Sequence, residues 1–419
     1  MTIPSMRRRL VGFMLMPAIA AVSPLLVLPL VSRIAGPSGW ASAIAGEAVG
    51  TFMAIAIGYG WSAIGPALVS LADDDAARAR LYRESLVVRG TISLAGLPAL
   101  AVICWFVASP GAEWLTVLMG VQGALIALSF TWYCAGVGDP KTIIVFDAVP
   151  RLVAAVGAAG AIALTGVVEW YPIAGILVTA VGTSVFSARL LRRTPGPWPR
   201  LRELPRLLRS NFAVAVNDAA LSAYSSIPAP LVNVTAAPIA AASYASADKL
   251  FKLGSVLPFT LASAFQSWIG EDSGRERARR MSLALCVHTG FGILGAAILI
   301  GLGPFVSWLL FGAQNAAGVD VLIAMGAVFL FLSVRTSLTR HIMFPTGGAR
   351  IVTKATLIAS AIGIPTMVAL AILVGPLGAA IGYAATEGLA TLFLIRPCLV
   401  AVRRLRMQPP PAHHERSEA

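Results

Sequence analysis

Charge is what this sequence has least of. Asp, Glu, Lys and Arg make up 12% of its 419 residues against 57% hydrophobic, and the mean hydropathy is +0.81. A soluble globular chain carries roughly twice that charged fraction, so an ordinary water-facing surface is excluded and the bilayer is the solvent. Histidine and cysteine number only four each. Cys104, Cys134, Cys286 and Cys398 stand singly in apolar runs, without metal or redox spacing, and read as small buried hydrophobes. There is no phosphate-cradling Gly-Lys-Ser/Thr loop, no His/Glu pair at helical spacing and no serine elbow. The reading is therefore of a chain that is not an enzyme, with no catalytic residue, no metal site and no cofactor beyond H⁺ or Na⁺ as a coupling ion.

What is present is a series of apolar runs, each of roughly the 20 residues a helix needs to cross hydrocarbon about 30 Å thick. About twelve fit, near 10–34, 41–71, 86–108, 113–135, 142–165, 170–190, 211–235, 238–268, 282–304, 320–340, 353–374 and 377–400. They are too long and continuous for the short alternating strands of a membrane barrel, so the backbone must satisfy itself within helices. The expected fold is an all-α polytopic membrane protein. Arg7-Arg8-Arg9 ahead of a run containing Ala18-Ile19-Ala20 has the order of a cleavable signal peptide, but the run is longer than such segments carry.

All but four of the 32 Lys and Arg residues fall at the N-terminus, in the even-numbered connections or in the tail, and the odd-numbered connections carry none. The positive-inside rule then places both termini in the cytoplasm. The excess of base is a topology signal rather than a nucleic-acid footprint.

The stretch 189–210, rich in Arg and Pro, divides the runs into six and six. The spacing from Pro37 to Pro238 equals that from Glu47 to Asp248, and the same displacement lays runs 1 and 2 on runs 7 and 8. The expected organisation is two pseudo-symmetric six-helix lobes, 1–190 and 211–401, joined by a basic linker, 191–210, and followed by a cytoplasmic tail, 402–419. None of the odd-numbered connections is long enough to hold a second substrate, which weighs against a membrane glycan polymerase or acyltransferase.

With the cytoplasmic-side cations set aside, Arg33, Lys249, Lys252 and Arg335 remain within the runs or at their ends, and their acidic counterparts are Glu47, Asp218, Asp248 and Glu387. A charge facing lipid at mid-helix costs around 2.5 to 3.5 kcal/mol, so these residues are expected to face a cavity or one another. Helical spacing puts Asp248 and Lys252 on one face and Lys249 within reach of Lys252. One Asp neutralises one Lys, and the second ammonium is then free for an anionic group such as a diphosphate. The competing reading is of ion pairs that lock helices, for instance Glu47 with Lys249 across the halves, with Arg33 reaching to the headgroups as an anchor. Run 7 carries Asn217, Asp218, Ser222, Ser225, Ser226, Pro228, Pro230 and Asn233, and so is expected to line water and bend. Pro17, Pro24 and Pro29 repeat the feature in run 1.

Three stretches resemble the polysaccharide flippases, the Wzx-type O-antigen and exopolysaccharide exporters of the multidrug/oligosaccharidyl-lipid/polysaccharide (MOP) superfamily. They are "LPLVSRIAGPSGWASAIAGEAVGTF" at 28–52, with Arg33, Gly36, Pro37, Gly39 and Trp40; "FTWYCAGVGDPKTIIVFDAVPRL" at 130–152, with Trp132, Gly136, Lys141 and Arg151; and "SYASADKLFKLG" at 243–254, with Tyr244, Ala247 and Lys249. Gly39-Trp40 departs from the Gly-x-Tyr of that pattern. The resemblance implies a two-lobed MOP/MATE-like transporter of the bacterial inner membrane. Its cationic central cavity would take the sugar-diphosphate head of an undecaprenyl-linked oligosaccharide, beside a polymerase and a chain-length regulator. With it, Lys249 and Lys252 would meet the diphosphate and Asp248 set their position; from the interior charges and polar residues themselves, Arg33 and Arg335 join the expected substrate contacts, Glu47, Asp218, Asp248 and Glu387 are expected in charge balance or ion coupling, and Asn217, Ser225 and Tyr244 in polar lining. A multidrug or organic-cation antiporter and a lipid II flippase of the same superfamily are the alternatives.

Overall fold

In the computed structural model residues 6–407 are described, with side chains from Pro24 onward apart from those at 201, 213 and 267. The side chains of Arg7 to Arg9, Pro17 and Ala18 to Ala20, and the tail beyond Met407, lie outside that description. Every regular element among the described residues is helical, as a backbone without water must be.

Spans 1 and 2 lie in one stretch, Met6–Gly58, broken at Gly36, whose φ of 66° and ψ of −175° suit only a residue without Cβ. Pro37 follows, its fixed φ ready for the next helix. Span 2 therefore starts at the break, ahead of the expected position 41. It is interrupted again at Tyr59 and Gly60, both of positive φ, before Trp61–Leu71. The second half answers this turn: Pro238 opens span 8, Pro238–Gly270, directly after an extended Ala237. Span 7 runs Leu204–Ser226 and resumes as Pro228–Thr235, the expected bend falling where proline has no N–H to give.

The remaining spans are span 3, Asp75–Val107, and span 4, Glu113–Leu125 with Thr131–Val137 beyond a 3-10 turn, followed by span 5, Pro140–Ile143 with Val149–Thr165 across a π turn, and span 6, Trp170–Arg193. In the second lobe, span 9 is Gly274–Gly301, with a short helix Gly303–Phe311 where a connection was expected. Span 10 is Val319–Ser337 closing in a π turn, Leu338–Met343; span 11 is Ala349–Val374 and span 12 Pro376–Met407.

Nine of the described helices are long and apolar enough to cross a membrane by length and composition alone. One of them, Pro24–Leu71, contains two spans joined at Gly36, and spans 7 and 8, which hold Asp218 and the Asp248, Lys249 and Lys252 group, are not among the nine. Interior charge thus lowers the hydropathy of spans 7 and 8 most, while spans 2, 10 and 12 pass the test although they carry Glu47, Arg335 and Glu387.

Several helices run past the expected edges, and this moves some arginines indoors. Arg83 and Arg89, taken from the sequence as part of a connection, lie in span 3 and are 4% and 1% exposed. Arg89 donates to Ala127 O at 2.7 Å and Ser129 O at 3.0 Å, the carbonyls freed where span 4 breaks, and its guanidinium sits 5.5 Å above Trp132. A planar five-donor group is well suited to several backbone acceptors at once.

Spans 2 and 4 touch backbone to backbone. A Cβ on Gly46 would stand 2.2 Å from Thr116 O, and one on Gly50 2.2 Å from Gly120 O. Helices in lipid associate through such close small-residue contacts, since apolar side chains gain little by leaving lipid. Gly50→Val is expected to lower the melting temperature of the detergent-solubilised protein by several degrees, in line with an overpacking penalty of about 1–3 kcal/mol. An unchanged melting curve would contradict this packing.

Candidate functional site

The two lobes meet most extensively at the end whose connections lack Lys and Arg, here called the neutral end. Trp40 Nε1 donates to Ser246 Oγ at 2.9 Å, Asn233 Nδ2 to Ser42 Oγ at 3.3 Å and Val107 O at 2.7 Å, and Asn315 Nδ2 to Ser32 O at 2.6 Å. The Trp40 and Phe311 rings lie 4.9 Å apart. Below this seam a cavity of about 940 Å³ lies between the lobes, from the level of Glu47 and Asp248 toward Ser62, Asn217 and Phe344 near the basic end.

Its walls hold four acids, Glu47, Asp218, Asp248 and Glu387, and four bases, Lys249, Lys252, Arg335 and Arg340. Lys249 Nζ meets Glu47 Oε1 at 2.6 Å and Oε2 at 2.7 Å, across the lobes, and its side chain is 6% exposed. Lys252 Nζ lies 2.7 Å from Asp248 Oδ2 and is 35% exposed. Arg335 grips Glu387 with two donors, at 2.7 and 3.0 Å, and Tyr224 OH donates to the same carboxylate at 3.1 Å. Among the described residues Asp218 accepts only from Asn217, at 3.4 Å, and Asn217 in turn accepts from Thr353.

This corrects the expectation of a surplus of cation. Each of Lys249, Lys252 and Arg335 faces a carboxylate, because an ion withdrawn from water without a partner is destabilising by several kcal/mol. The locking pair of Glu47 and Lys249, one of the two alternatives read from sequence, is the one formed. Asn217 and Ser225 line the cavity as expected. Arg33 does not: it is exposed at the neutral end and donates to Leu309 O at 2.6 Å, holding the lobes together there. Tyr244 is also outside the lining, 1% exposed in the core between the lobes, with no hydrogen-bond partner for its hydroxyl among the described residues.

Three features were missed. Arg340 lines the cavity from the π turn of span 10, its guanidinium 5.5 Å above Phe259; the apolar run continuing through Ile342, Met343 and Phe344 was the available signal. Tyr224 and Tyr383 stand among the acids, and nothing in their spacing announced it. A buried pair, His288 and His341, lies with rings 5.3 Å apart behind the same π turn, tied to Ser333 and Ser337. Of the other motif residues, Trp132 and Gly136 pack inside the first lobe, Arg151 pairs with Asp147 at 2.8 Å and Lys141 is exposed.

The comparisons with known proteins bear on this arrangement. No protein-family model matches the chain. A curated protein of Shigella dysenteriae named "Putative O-antigen transporter" is 20% identical over 382 residues, covering 89% of this chain and 95% of that one. The solved structure of the lipid II flippase MurJ, in an inward closed conformation, superposes with a TM-score of 0.69 at 13% identity over 92% of this chain and 89% of that one. The chain has the fold of the MOP-type transporters. A eukaryotic MATE transporter agrees, with a TM-score of 0.56, 14% identity and coverage of 95% and 99%. The resemblance to the MOP superfamily noted in the sequence thus has a counterpart in three dimensions, and the chain is a multi-pass membrane protein of transporter architecture.

The central pair gives a direct check. Lys249→Met leaves Glu47 without its cation and is expected to destabilise the protein more than the double variant Glu47→Gln/Lys249→Met, since breaking a buried pair is worse than replacing it. Thermal melting of the three proteins measures this; a double variant no better than the single would remove the argument.

Proposed function

We propose that the chain moves undecaprenyl-diphosphate-linked oligosaccharide units across the bacterial inner membrane, from the cytoplasmic to the outer leaflet, by alternating access between lobes 1–190 and 211–401. The observation that carries the reading is the inter-lobe cavity lined by charge pairs: a volume of about 940 Å³, its neutral end sealed by hydrogen bonds. A polar, charged head group fits among such walls, while a lipid tail stays in the bilayer. The names of the curated relative and of the MurJ structure, an O-antigen transporter and a lipid II flippase, support a lipid-linked glycan as cargo. The cavity presents charge pairs and hydroxyls, and transport needs no more.

Lys249 and Lys252 take different parts. Lys249 is held by both oxygens of Glu47 and is a latch between lobes, whereas Lys252 is more exposed and has one ion contact. Lys252, with Arg340, is the cation available to a diphosphate or acidic sugar. The basic end is cytoplasmic on the positive-inside rule, and a polymerase and a chain-length regulator would act on the delivered unit.

The test is deletion of the gene and complementation. Deletion is expected to abolish surface polysaccharide and leave complete repeat units on their lipid at the cytoplasmic leaflet; accumulation of lipid II would move the cargo to that glycan. Lys252→Gln should restore export at least tenfold less well than the parent gene at equal protein level, and Lys252→Arg should restore most of it. Unchanged glycan on deletion would overturn the reading. A second outcome concerns the neutral seam. Cysteines in place of Ser42 and Asn233, whose side chains lie 3.3 Å apart, are expected to cross-link under oxidation and halt export, with recovery on reduction; export unaffected by the cross-link would contradict alternating access.

A cation antiporter is the second reading, favoured by one observation: among the described residues Asp218 faces the cavity with no cation beside it. Altered sensitivity of the deletion strain to cationic drugs, with glycan intact, would select it.

A further inference from the structure

Tyr244 and Asp248 lie one helical turn apart on the same face of span 8. Both are essentially without exposure, at 1% and 0%, and the phenol and the carboxylate interact electrostatically. Yet the Tyr244 hydroxyl has no hydrogen-bond partner among the described residues, and Asp248 Oδ1 has none either; Lys252 meets the other oxygen, Oδ2, at 2.7 Å. A buried hydroxyl that makes no bond is destabilising, and phenylalanine would fill the same space without that penalty. The hydroxyl therefore has a use in an arrangement other than this one.

Glu387 displays what the complete arrangement looks like. Its carboxylate accepts from Arg335 and, at the same time, from Tyr224 OH. At Asp248 the cation is in place and the phenol is not. Lys252 lines the cavity and is 35% exposed, while its partner is buried. When Lys252 turns to an anion in the cavity, Asp248 is left as a buried charge with no donor, which would oppose the movement.

We infer that Tyr244 is a positioning residue that takes over Asp248 by hydrogen bond when Lys252 swings to a phosphate-bearing ligand, so that the ammonium is released without stranding the carboxylate. The assignment of a phosphate-bearing ligand rests on the proposed function; the exchange of donors at Asp248 does not. Tyr383, on span 12, lines the same cavity as Asp248 and is the competing donor.

The exchange is tested without ligand by melting the purified protein. Lys252→Met, which keeps the stem and removes the ammonium, is expected to lower the melting temperature by a few degrees at most. Adding Tyr244→Phe should lower it by several degrees more than the two single effects together. Adding Asp248→Asn as well should abolish the excess. Additive effects overturn the inference, and the same excess produced by Tyr383→Phe instead transfers the role to Tyr383. The ligand side is tested with farnesyl diphosphate in nanodiscs. Tyr244→Phe should weaken its binding about tenfold, equivalent to about 1.4 kcal/mol, and should have no effect once Asp248→Asn is present. An equal loss in both backgrounds marks a merely structural role and overturns the inference. No binding by the unsubstituted protein overturns the diphosphate reading, and the melting cycle then decides the donor exchange by itself.

Discussion

Glu47 and Lys249 meet at 2.6 Å from opposite lobes, in helices where an unpaired ion is strongly disfavoured. That one pair ties span 2 to span 8 at the depth of the cavity, and other deeply buried charges are met by partners too. Asp248 has Lys252, Glu387 has Arg335 and Tyr224, and Arg89 in the first lobe has the carbonyls of a broken helix. The cost of leaving buried polar groups unpaired explains why the lobes are joined here by hydrogen bonds as well as by apolar contact.

The same requirement shapes how the cavity can work. A transporter must change which groups are paired as it changes shape, and in low dielectric each change must supply a new partner as it removes the old. At the neutral seam the bonds are between amide, hydroxyl and carbonyl groups, which water can replace when the lobes part. At the cavity they are between full charges, which water replaces only if it enters. The phenols of Tyr224, Tyr244 and Tyr383 beside the acids are well suited to such an interior, being large apolar bodies with one polar handle each.

The departures from α-helix follow the same map. Span 2 breaks at Tyr59 and Gly60, span 4 at 126–130, span 7 at Ile227, and span 10 turns into π geometry at Leu338–Met343. Irregular backbone at membrane depth persists only where protein or a cavity satisfies it. Gly60, Ala127 and Thr339 all border the cavity, and Arg340 is carried into it by the π turn.

Membrane residence, the number of spans and their grouping in two halves were legible because lipid imposes a length and a composition on any helix that crosses it. The Gly36-Pro37 turn and its echo at Pro238 were legible because only particular residues adopt those backbone angles. The list of interior charges followed hydropathy, and it left out Arg89 and Arg340, which were grouped with the basic connections although both fall inside apolar runs. What the sequence left open was the pairing. Lys249 has Asp248 beside it in the chain and Glu47 at a separation of 202 residues, and it bonds the distant one. Arg33 sits among motif residues yet belongs to the seam, and Tyr244 to the core. Such choices depend on which faces two lobes turn toward each other, a property of packed surfaces that no local spacing encodes.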